Sequence, residues 1–198
     1  MSEQSPLIGL ARHGQTAWSL SGQHTGRTDI PLTPAGEQAA AKLGGRLRSL
    51  GITTVFTSPL QRAKKTCEIC GFGAIAAVID DLQEWNYGEY EGLRSAEIRA
   101  RRSDWRIFRD GCPGGEHLED VVVRADRVVA LLKSVRGNAV VFSHGHFLRV
   151  LMARWVGIAP DTGAHFSLDP ASLSFLSIDP HSGDPVVERW NDVAHLSP

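Results

Sequence analysis

The sequence predicts an α/β fold, a three-layer α/β/α sandwich around a mainly parallel central sheet. Short apolar runs alternate along the chain with longer stretches of helical periodicity. Three of the apolar runs end in clusters of Arg, Ser and His. In such sheets ligands bind where the strands end, so these clusters favour a parallel arrangement with a site at one edge.

The strands are predicted at the short apolar runs and the helices at the periodic stretches between them. The predicted strands cover residues 7–11, 52–57, 74–79, 138–143, 172–178 and 186–190. The predicted helices cover residues 34–50, 95–108, 116–135 and 146–156. A further helix is predicted to begin at Ser58-Pro59, with Ser as N-cap and Pro at the first helical position.

Length and composition indicate one domain and a soluble protein. The 198 residues, 42% hydrophobic and 22% charged, suit a single domain over residues 1–198 with a lid-like insertion around residues 82–115. A net charge of −1 gives no support for a nucleic-acid partner. No signal peptide and no membrane-spanning run is recognised, so no membrane partner is expected.

The cysteines indicate a reducing compartment, and we expect a cytoplasmic location. Three cysteines cannot all pair within one chain. Cys67 and Cys70 have the spacing of a redox motif, but they fall near the end of a predicted helix. A reactive pair is usually placed at a helix start, where the thiol pKa is lowered, so we interpret these two as packing residues.

The polar clusters at the strand ends predict a phosphate site. They are Arg12-His13, the stretch from Ser58 to Arg62, and His144-Gly145-His146. If the strands are parallel neighbours, two arginines and at least two histidines meet at one edge. Guanidinium groups match phosphate oxygens, and a histidine beside them can act as base, nucleophile or metal ligand.

Other kinds of phosphate chemistry lack their signatures. HExxH is absent, and no cluster of His and carboxylate has ligand spacing, so we expect no metal and no cofactor. GxxxxGK[ST] is absent, and no cysteine is followed six residues later by arginine. A nucleophilic histidine remains as the interpretation.

Six motifs together resemble one known family. ARHGQT at residues 11–16 is joined by TGRTDIPLTPAGEQA, TSPLQRAKKT, EWNYGEYEG, PGGE and SHGHFLR. In this order they resemble the histidine phosphatase superfamily, which includes the cofactor-dependent phosphoglycerate mutases, over residues 7–156. The resemblance implies the phosphoglycerate mutase-like fold.

The resemblance also implies roles for the catalytic residues. His13 would attack phosphorus and become phosphohistidine. Arg12, Arg62 and His144 would hold the phosphoryl oxygens. Glu84 would protonate the leaving alcohol and later activate water, in competition with Glu89, Glu91 and Glu116, the last of which could instead cap a helix. Gly145 stands where the branch similar to acid phosphatases and phytases has its acidic Asp, which assigns the role to Glu84.

Three shorter segments bear on the substrate. GQHTGRTD, RDGC and HGH are similar to the branch that contains fungal sedoheptulose-1,7-bisphosphatase and related bacterial phosphatases. By position, the residues expected to contact substrate are Thr16, Gln23, Thr25, Gly26, Tyr87 and Gly145. Arg27 and Arg109 are expected to meet a second phosphate. His24, His117 and His146 are expected either to line the site or to pack.

The sequence thus predicts a metal-independent phosphomonoesterase that acts on a small phosphorylated metabolite such as a sugar bisphosphate. Three alternatives remain: a phosphoglycerate mutase, a non-catalytic module that binds phosphorylated ligands, and a phosphatase of phosphohistidine proteins. The short chain favours hydrolysis over the mutase, whereas the insertion favours a small-molecule pocket over a protein substrate. Homo-oligomer formation stays open.

Overall fold

The strands form one mixed sheet in the computed structural model, which describes residues 6–197. The strands are β1 (Ile8–Arg12), β2 (Ile52–Thr57), β3 (Ala77–Val78), β4 (Asn138–Ser143), β5 (Leu173–Ile178) and β6 (Pro185–Asp192). The order in the sheet is β3-β2-β4-β1-β5-β6, with β3, β2, β4 and β1 parallel and the pairs β1–β5 and β5–β6 antiparallel. The mainly parallel sheet of the prediction is therefore confirmed.

Helices cover both faces of this sheet. They are α1 (Ala17–Ser21), α2 (Pro34–Leu47), α3 (Gln61–Ile69), α4 (Ser95–Arg101), α5 (Ile107–Asp110), α6 (Leu118–Ser134) and α7 (Gly145–Val156). Alternation along β4 separates two cores: Ala139 and Val141 pack with α6 and α7, whereas Val140 and Phe142 pack with α2 and α3. The three-layer α/β/α sandwich is confirmed.

The start of α3 differs from the prediction, and the reason lies outside the local sequence. The helix begins at Gln61, not at Pro59. The backbone N–H of Gln61 donates to the carboxylate of Asp29 (2.8 Å), which supplies the cap from a distant loop. The Ser58 hydroxyl, predicted to be the cap, instead lies 2.8 Å from Nε2 of His144.

Two further predicted elements are shorter than expected. The helix predicted over residues 95–108 is divided into α4 and α5, because the chain turns between them to bury Trp105, whose indole N–H donates to the carbonyl of Gly111 (2.9 Å). The strand predicted over residues 74–79 is reduced to the two residues of β3, which pairs only with the end of β2 at the sheet edge.

The segment of residues 82–115 lies against the α6–α7 face. Leu82, Trp85, Tyr87, Ile98 and Trp105 are buried in the same core as those two helices. Across residues 6–197, no helix combines the length and the apolar composition needed to span a bilayer.

Candidate active site

The carboxyl ends of β1, β2 and β4 meet at one edge of the sheet, as the sequence predicted. The backbone N–H of His13 donates to the carbonyl of Ser143 (3.0 Å), and that of Ser58 donates to the carbonyl of Phe142 (3.0 Å). The rings of His13 and His144 lie 5.2 Å apart, centroid to centroid. Strand register thus brings together residues that are far apart in the chain.

His13 is held in one tautomer. Its Nδ1 lies 2.7 Å from the carbonyl oxygen of Gly14, which can only accept, so Nδ1 carries the proton and Nε2 keeps its lone pair. The side chain is buried, with 4% exposed. Burial, with the charges of Arg62 and Arg12, holds the pKa of His13 well below its ordinary value. The imidazole is therefore neutral, as a nucleophile requires.

Arg62 and His144 are fully buried behind His13 and are bonded to each other. Nε of Arg62 donates to Nδ1 of His144 (3.2 Å), so Nε2 of His144 carries the proton and donates to Ser58. The rest of the guanidinium donates to the carbonyls of Thr25 (3.1 Å), Gly26 (2.9 Å) and Thr28 (3.2 Å). These contacts fix the loop of residues 25–28 and leave one Nη1 hydrogen of Arg62 uncommitted.

Arg12 lines the site and keeps one buried guanidinium donor without a partner in the described part of the chain. Its Nη1 donates to the carbonyl of Leu168, while its Nε is buried and has no hydrogen-bond partner among residues 6–197. The guanidinium packs against the first turn of α7, where a Cβ on Gly145 would lie 3.3 Å from its Cζ and Nε. A glycine at position 145 therefore leaves space for the Arg12 guanidinium against the helix.

The Glu84 carboxylate sits at the amino-terminal end of α7. Oε2 accepts from the backbone N–H of His146 (3.0 Å), and Oε1 accepts from those of Phe147 (2.9 Å) and Trp85 (2.9 Å). Unpaired N–H groups at a helix start suit an anion. The side chain is 5% exposed and lines the same cavity as His13.

This cavity, here called the first cavity, has a volume of about 190 Å³. Arg12, His13 and Glu84 line it. Among the predicted substrate contacts, those that also line it are Gln23, Thr25, Tyr87 and Gly145. A concave pocket with a few convergent polar groups is the usual form of a small-ligand site.

Thr16 and Gly26 do not line the first cavity. The hydroxyl of Thr16 is the N-cap of α1 and accepts from the backbone N–H of Ser19 (3.1 Å). Gly26 is packed so closely that a Cβ there would lie 2.4 Å from the carbonyl oxygen of Trp85. Their positions indicate that both shape the loops around the site without facing the cavity.

The structure adds residues to the site that sequence reasoning did not assign. Ser19, Gly22, Arg149 and Leu168 line the first cavity. Of these four, Arg149 is the one whose position could have been found, because it lies four residues after Gly145 and so on the same face of α7. His24 and His146, for which packing was the alternative, belong to the lining.

Arg27 and Arg109 lie outside the first cavity, contrary to the expectation that they meet a second phosphate. Arg27 donates to the side chain of Gln83. Arg109 is exposed and forms ion pairs with Asp104 (3.1 Å) and Asp110 (2.8 Å).

Two of the three competing carboxylates, Glu91 and Glu116, and the remaining histidine have structural contacts. Glu91 accepts from the backbone of Gly26 (2.7 Å) and Glu116 pairs with Arg124 (2.8 Å), whereas His117 is the N-cap residue of α6. Glu116 does not cap α6. The cap comes from Asp120, whose carboxylate accepts from the backbone N–H of His117 (2.9 Å). These contacts account for the three residues without a catalytic role.

Cys67 and Cys70 are packing residues, as predicted. Both are buried and free. Burial raises the pKa of Cys67 to about 12 and raises that of Cys70 further still. Within the part of the chain that the structure describes, no group of three or more His, Cys, Asp or Glu side chains is arranged to hold a metal ion.

Known proteins match the chain over nearly its whole length. The family model of the histidine phosphatase superfamily (branch 1) matches residues 8–193. An acid phosphatase of Mycobacterium tuberculosis is 39% identical over 86% of this chain and 85% of its own. Sedoheptulose 1,7-bisphosphatase of Saccharomyces cerevisiae is 37% identical over 80% of this chain and 70% of its own. The solved structure of an open reading frame product of M. tuberculosis is 35% identical, with a TM-score of 0.89, and the match covers 95% of this chain and 98% of that one.

Proposed function

The chain belongs to the histidine phosphatase superfamily (branch 1), and from its site we propose that it is a phosphoric monoester hydrolase that works through a phosphohistidine at His13. The observation that carries the proposal is the state of His13: a neutral ring whose free Nε2 lies in a cavity shared with Arg12 and Glu84. Those three groups supply a nucleophile, an anion ligand and an acid, which are the parts that phosphoryl transfer needs.

In the first step Nε2 of His13 attacks the phosphorus atom. The N–P bond forms as the bond to the ester oxygen breaks, and that oxygen takes a proton from Glu84 and leaves as the alcohol. The unpartnered Nε of Arg12 donates to a phosphoryl oxygen, and the buried charge of Arg62 adds to the stabilisation of the transition state. The carbonyl of Gly14 accepts from Nδ1 and stabilises the ring as it becomes charged.

In the second step Glu84, now ionised, takes a proton from water. The water oxygen attacks phosphorus, the N–P bond breaks and its electron pair returns to Nε2, which leaves inorganic phosphate and neutral His13. Three backbone N–H groups keep the carboxylate in place through both steps. The same carboxylate serves as acid and then as base.

The substrate that this site suits is a small phosphorylated metabolite, and a sugar bisphosphate is the proposed example. The size of the first cavity and the similarity to a sedoheptulose 1,7-bisphosphatase support this choice. The proposal includes hydrolysis without metal or other cofactor, no nucleic-acid or membrane partner, and a cytoplasmic location, which free cysteines suit.

The experiment measures phosphate release in EDTA from sedoheptulose 1,7-bisphosphate, fructose 1,6-bisphosphate, 3-phosphoglycerate and p-nitrophenyl phosphate. His13→Ala is assayed beside His181→Ala, an exposed histidine of the turn between β5 and β6. We expect release that His13→Ala abolishes and His181→Ala keeps. Release that survives His13→Ala, or that requires added metal, would refute the proposal.

The mutase is the second candidate, because it would use the same His13 and Glu84. It differs in the acceptor: the phosphoryl group would return to a phosphoglycerate in place of water. Interconversion of 3- and 2-phosphoglycerate that depends on 2,3-bisphosphoglycerate and exceeds phosphate release would favour the mutase. The non-catalytic module would bind phosphorylated ligands without any His13-dependent release.

A further inference from the structure

A second cavity, of about 200 Å³, adjoins the first one. His24, His146 and Arg149 line both cavities and form the boundary between them. The far wall of the second cavity includes Arg99 of α4 and Arg106, which precedes α5. Because three arginines, Arg99, Arg106 and Arg149, line this space, it is called the arginine cavity below.

The arginine cavity carries positive charge that no carboxylate balances. No Asp or Glu lines it within the described residues. Arg99, Arg106 and Arg149 form no ion pair with any carboxylate of residues 6–197, whereas the neighbouring Arg102 and Arg109 both pair with Asp110. Asp110 is thus already paired with two arginines that do not line the arginine cavity.

The histidines on the boundary add no charge. Burial, with the charges of Arg99 and Arg149, lowers the pKa of His24 to about 4. Burial, with the charge of Arg149, holds that of His146 well below its ordinary value. The two histidine rings of the boundary are therefore neutral, with centroids 6.0 Å apart, and the charge of the boundary comes from Arg149.

Arg149 lines both the first cavity and the arginine cavity. Its Nε donates to the carbonyl of Gly145 (3.2 Å) and its Nη1 to that of Phe166 (3.1 Å). The guanidinium carbon lies 5.2 Å from the ring centroid of Phe108, so the group is stacked as well as bonded. An arginine held in this way presents its remaining hydrogens in a fixed direction, which favours an anionic ligand.

We propose that the arginine cavity binds a second anionic group of the substrate, a phosphate or a carboxylate, while the reacting phosphoryl group lies at His13. The inference rests on the proposed hydrolysis at His13 and specifies its substrate class: metabolites with two anionic groups separated by a short carbon chain. Arg99 and Arg106 are the specificity-determining residues, since they line this cavity and not the first one.

The test compares substrates that have one or two anionic groups. Fructose 1,6-bisphosphate, sedoheptulose 1,7-bisphosphate and 3-phosphoglycerate are assayed against fructose 1-phosphate and p-nitrophenyl phosphate. The double variant Arg99→Gln/Arg106→Gln is matched by Arg101→Gln, which removes an exposed arginine of the same helix α4 that lines neither cavity. The readout is the ratio of kcat/KM between substrates with two and with one anionic group, so general loss of folded protein cancels.

We expect the wild type to favour at least one doubly anionic substrate by tenfold or more. The double variant should lower that ratio about tenfold or more, mainly through KM, because two charge-assisted contacts are removed, while Arg101→Gln keeps it. A phosphatase that depends on His13 but shows no preference for two anionic groups, or whose preference survives the double variant, would overturn the inference and leave the proposed function standing. If the wild type shows no phosphate release that depends on His13, both this inference and the proposed function are overturned.

Discussion

Acidification should destabilise this protein well before its carboxylates are protonated. Burial is the largest cause of a lowered pKa at His13, His24, His144 and His146. In the unfolded chain each histidine takes up a proton near pH 6.5. In the folded protein these four histidines are still neutral at that pH. The unfolded state therefore binds more protons, and the free energy of unfolding falls as pH falls through that value.

The size of the loss in unfolding free energy follows from the pH range over which the histidines are compared. Between about pH 7.5 and about pH 5.5, each histidine that stays neutral in the folded state contributes a loss of about 1.4 kcal/mol. Four such residues together lose roughly 5–6 kcal/mol, which is comparable to the whole stability of many domains, about 5–15 kcal/mol. Carboxylates with lowered pKa, such as Asp81 and Asp110, act only below about pH 4 and leave this window unaffected.

The assay is urea unfolding at several values across that range. His146→Gln should reduce the decline in unfolding free energy by about 1.4 kcal/mol, because one of the four neutral histidines is removed. His181→Gln, in an exposed turn, should leave the decline unchanged. A free energy of unfolding that stays constant over the range, or the same decline in wild type and His146→Gln, would refute the reasoning.

Three other predictions concern catalysis, packing and thiol reactivity. Glu84→Gln should lower kcat for p-nitrophenyl phosphate by about 10²–10⁴-fold, since the amide cannot give and retake a proton; near-normal turnover of the variant would contradict its role. Gly36→Ala should lower the free energy of unfolding, measured in urea, by more than about 2 kcal/mol, because its Cβ would lie 2.2 Å from the carbonyl oxygen of Gln15. Gly45→Ala, on the same helix, should be neutral or stabilising by up to about 1 kcal/mol, because its Cβ would meet only the Arg48 side chain, at 3.8 Å; equal effects would count against the packing argument. The buried cysteines, each with a raised pKa, should resist a thiol reagent in native buffer and react in urea; labelling of the native protein would show that burial does not protect them.

The centre of the site is predictable from the sequence because strand order determines it. Arg12 and His13 end β1, Ser58 follows β2 and His144 follows β4, and parallel neighbours bring such ends together. Glu84 could not be located in this way. It lies in a segment of loops, so periodicity does not distinguish it from Glu91. Only the family resemblance selects Glu84 from the sequence, and its contacts with α7 are seen only in the structure.

The features that the sequence did not predict depend on contacts between distant residues. Asp29 caps α3 across 32 positions, which no local pattern at Ser58-Pro59 could indicate. The second phosphate was assigned to Arg27 and Arg109, but Arg109 pairs with Asp104 and Asp110 and Arg27 with the side chain of Gln83. Which arginines of a basic segment stay unpaired is decided by how that segment folds around a buried tryptophan, and that is a tertiary property.

The chemical groups of this site are held mainly by main-chain atoms. The carbonyl of Gly14 orients His13, three amide N–H groups hold Glu84, and three carbonyls hold Arg62. Replacing the side chain of Thr25 or Thr28 leaves the supporting carbonyl oxygen in the chain, whereas Gly14 and Gly26 admit no side chain, because a Cβ there would lie 2.5 Å and 2.4 Å from the carbonyl oxygens of Gly36 and Trp85. Selectivity instead depends on side chains such as Arg99 and Arg106. Such a division lets a lineage exchange one substrate for another through single substitutions without first losing the reaction, and it makes the wall of the arginine cavity the place to begin directed evolution.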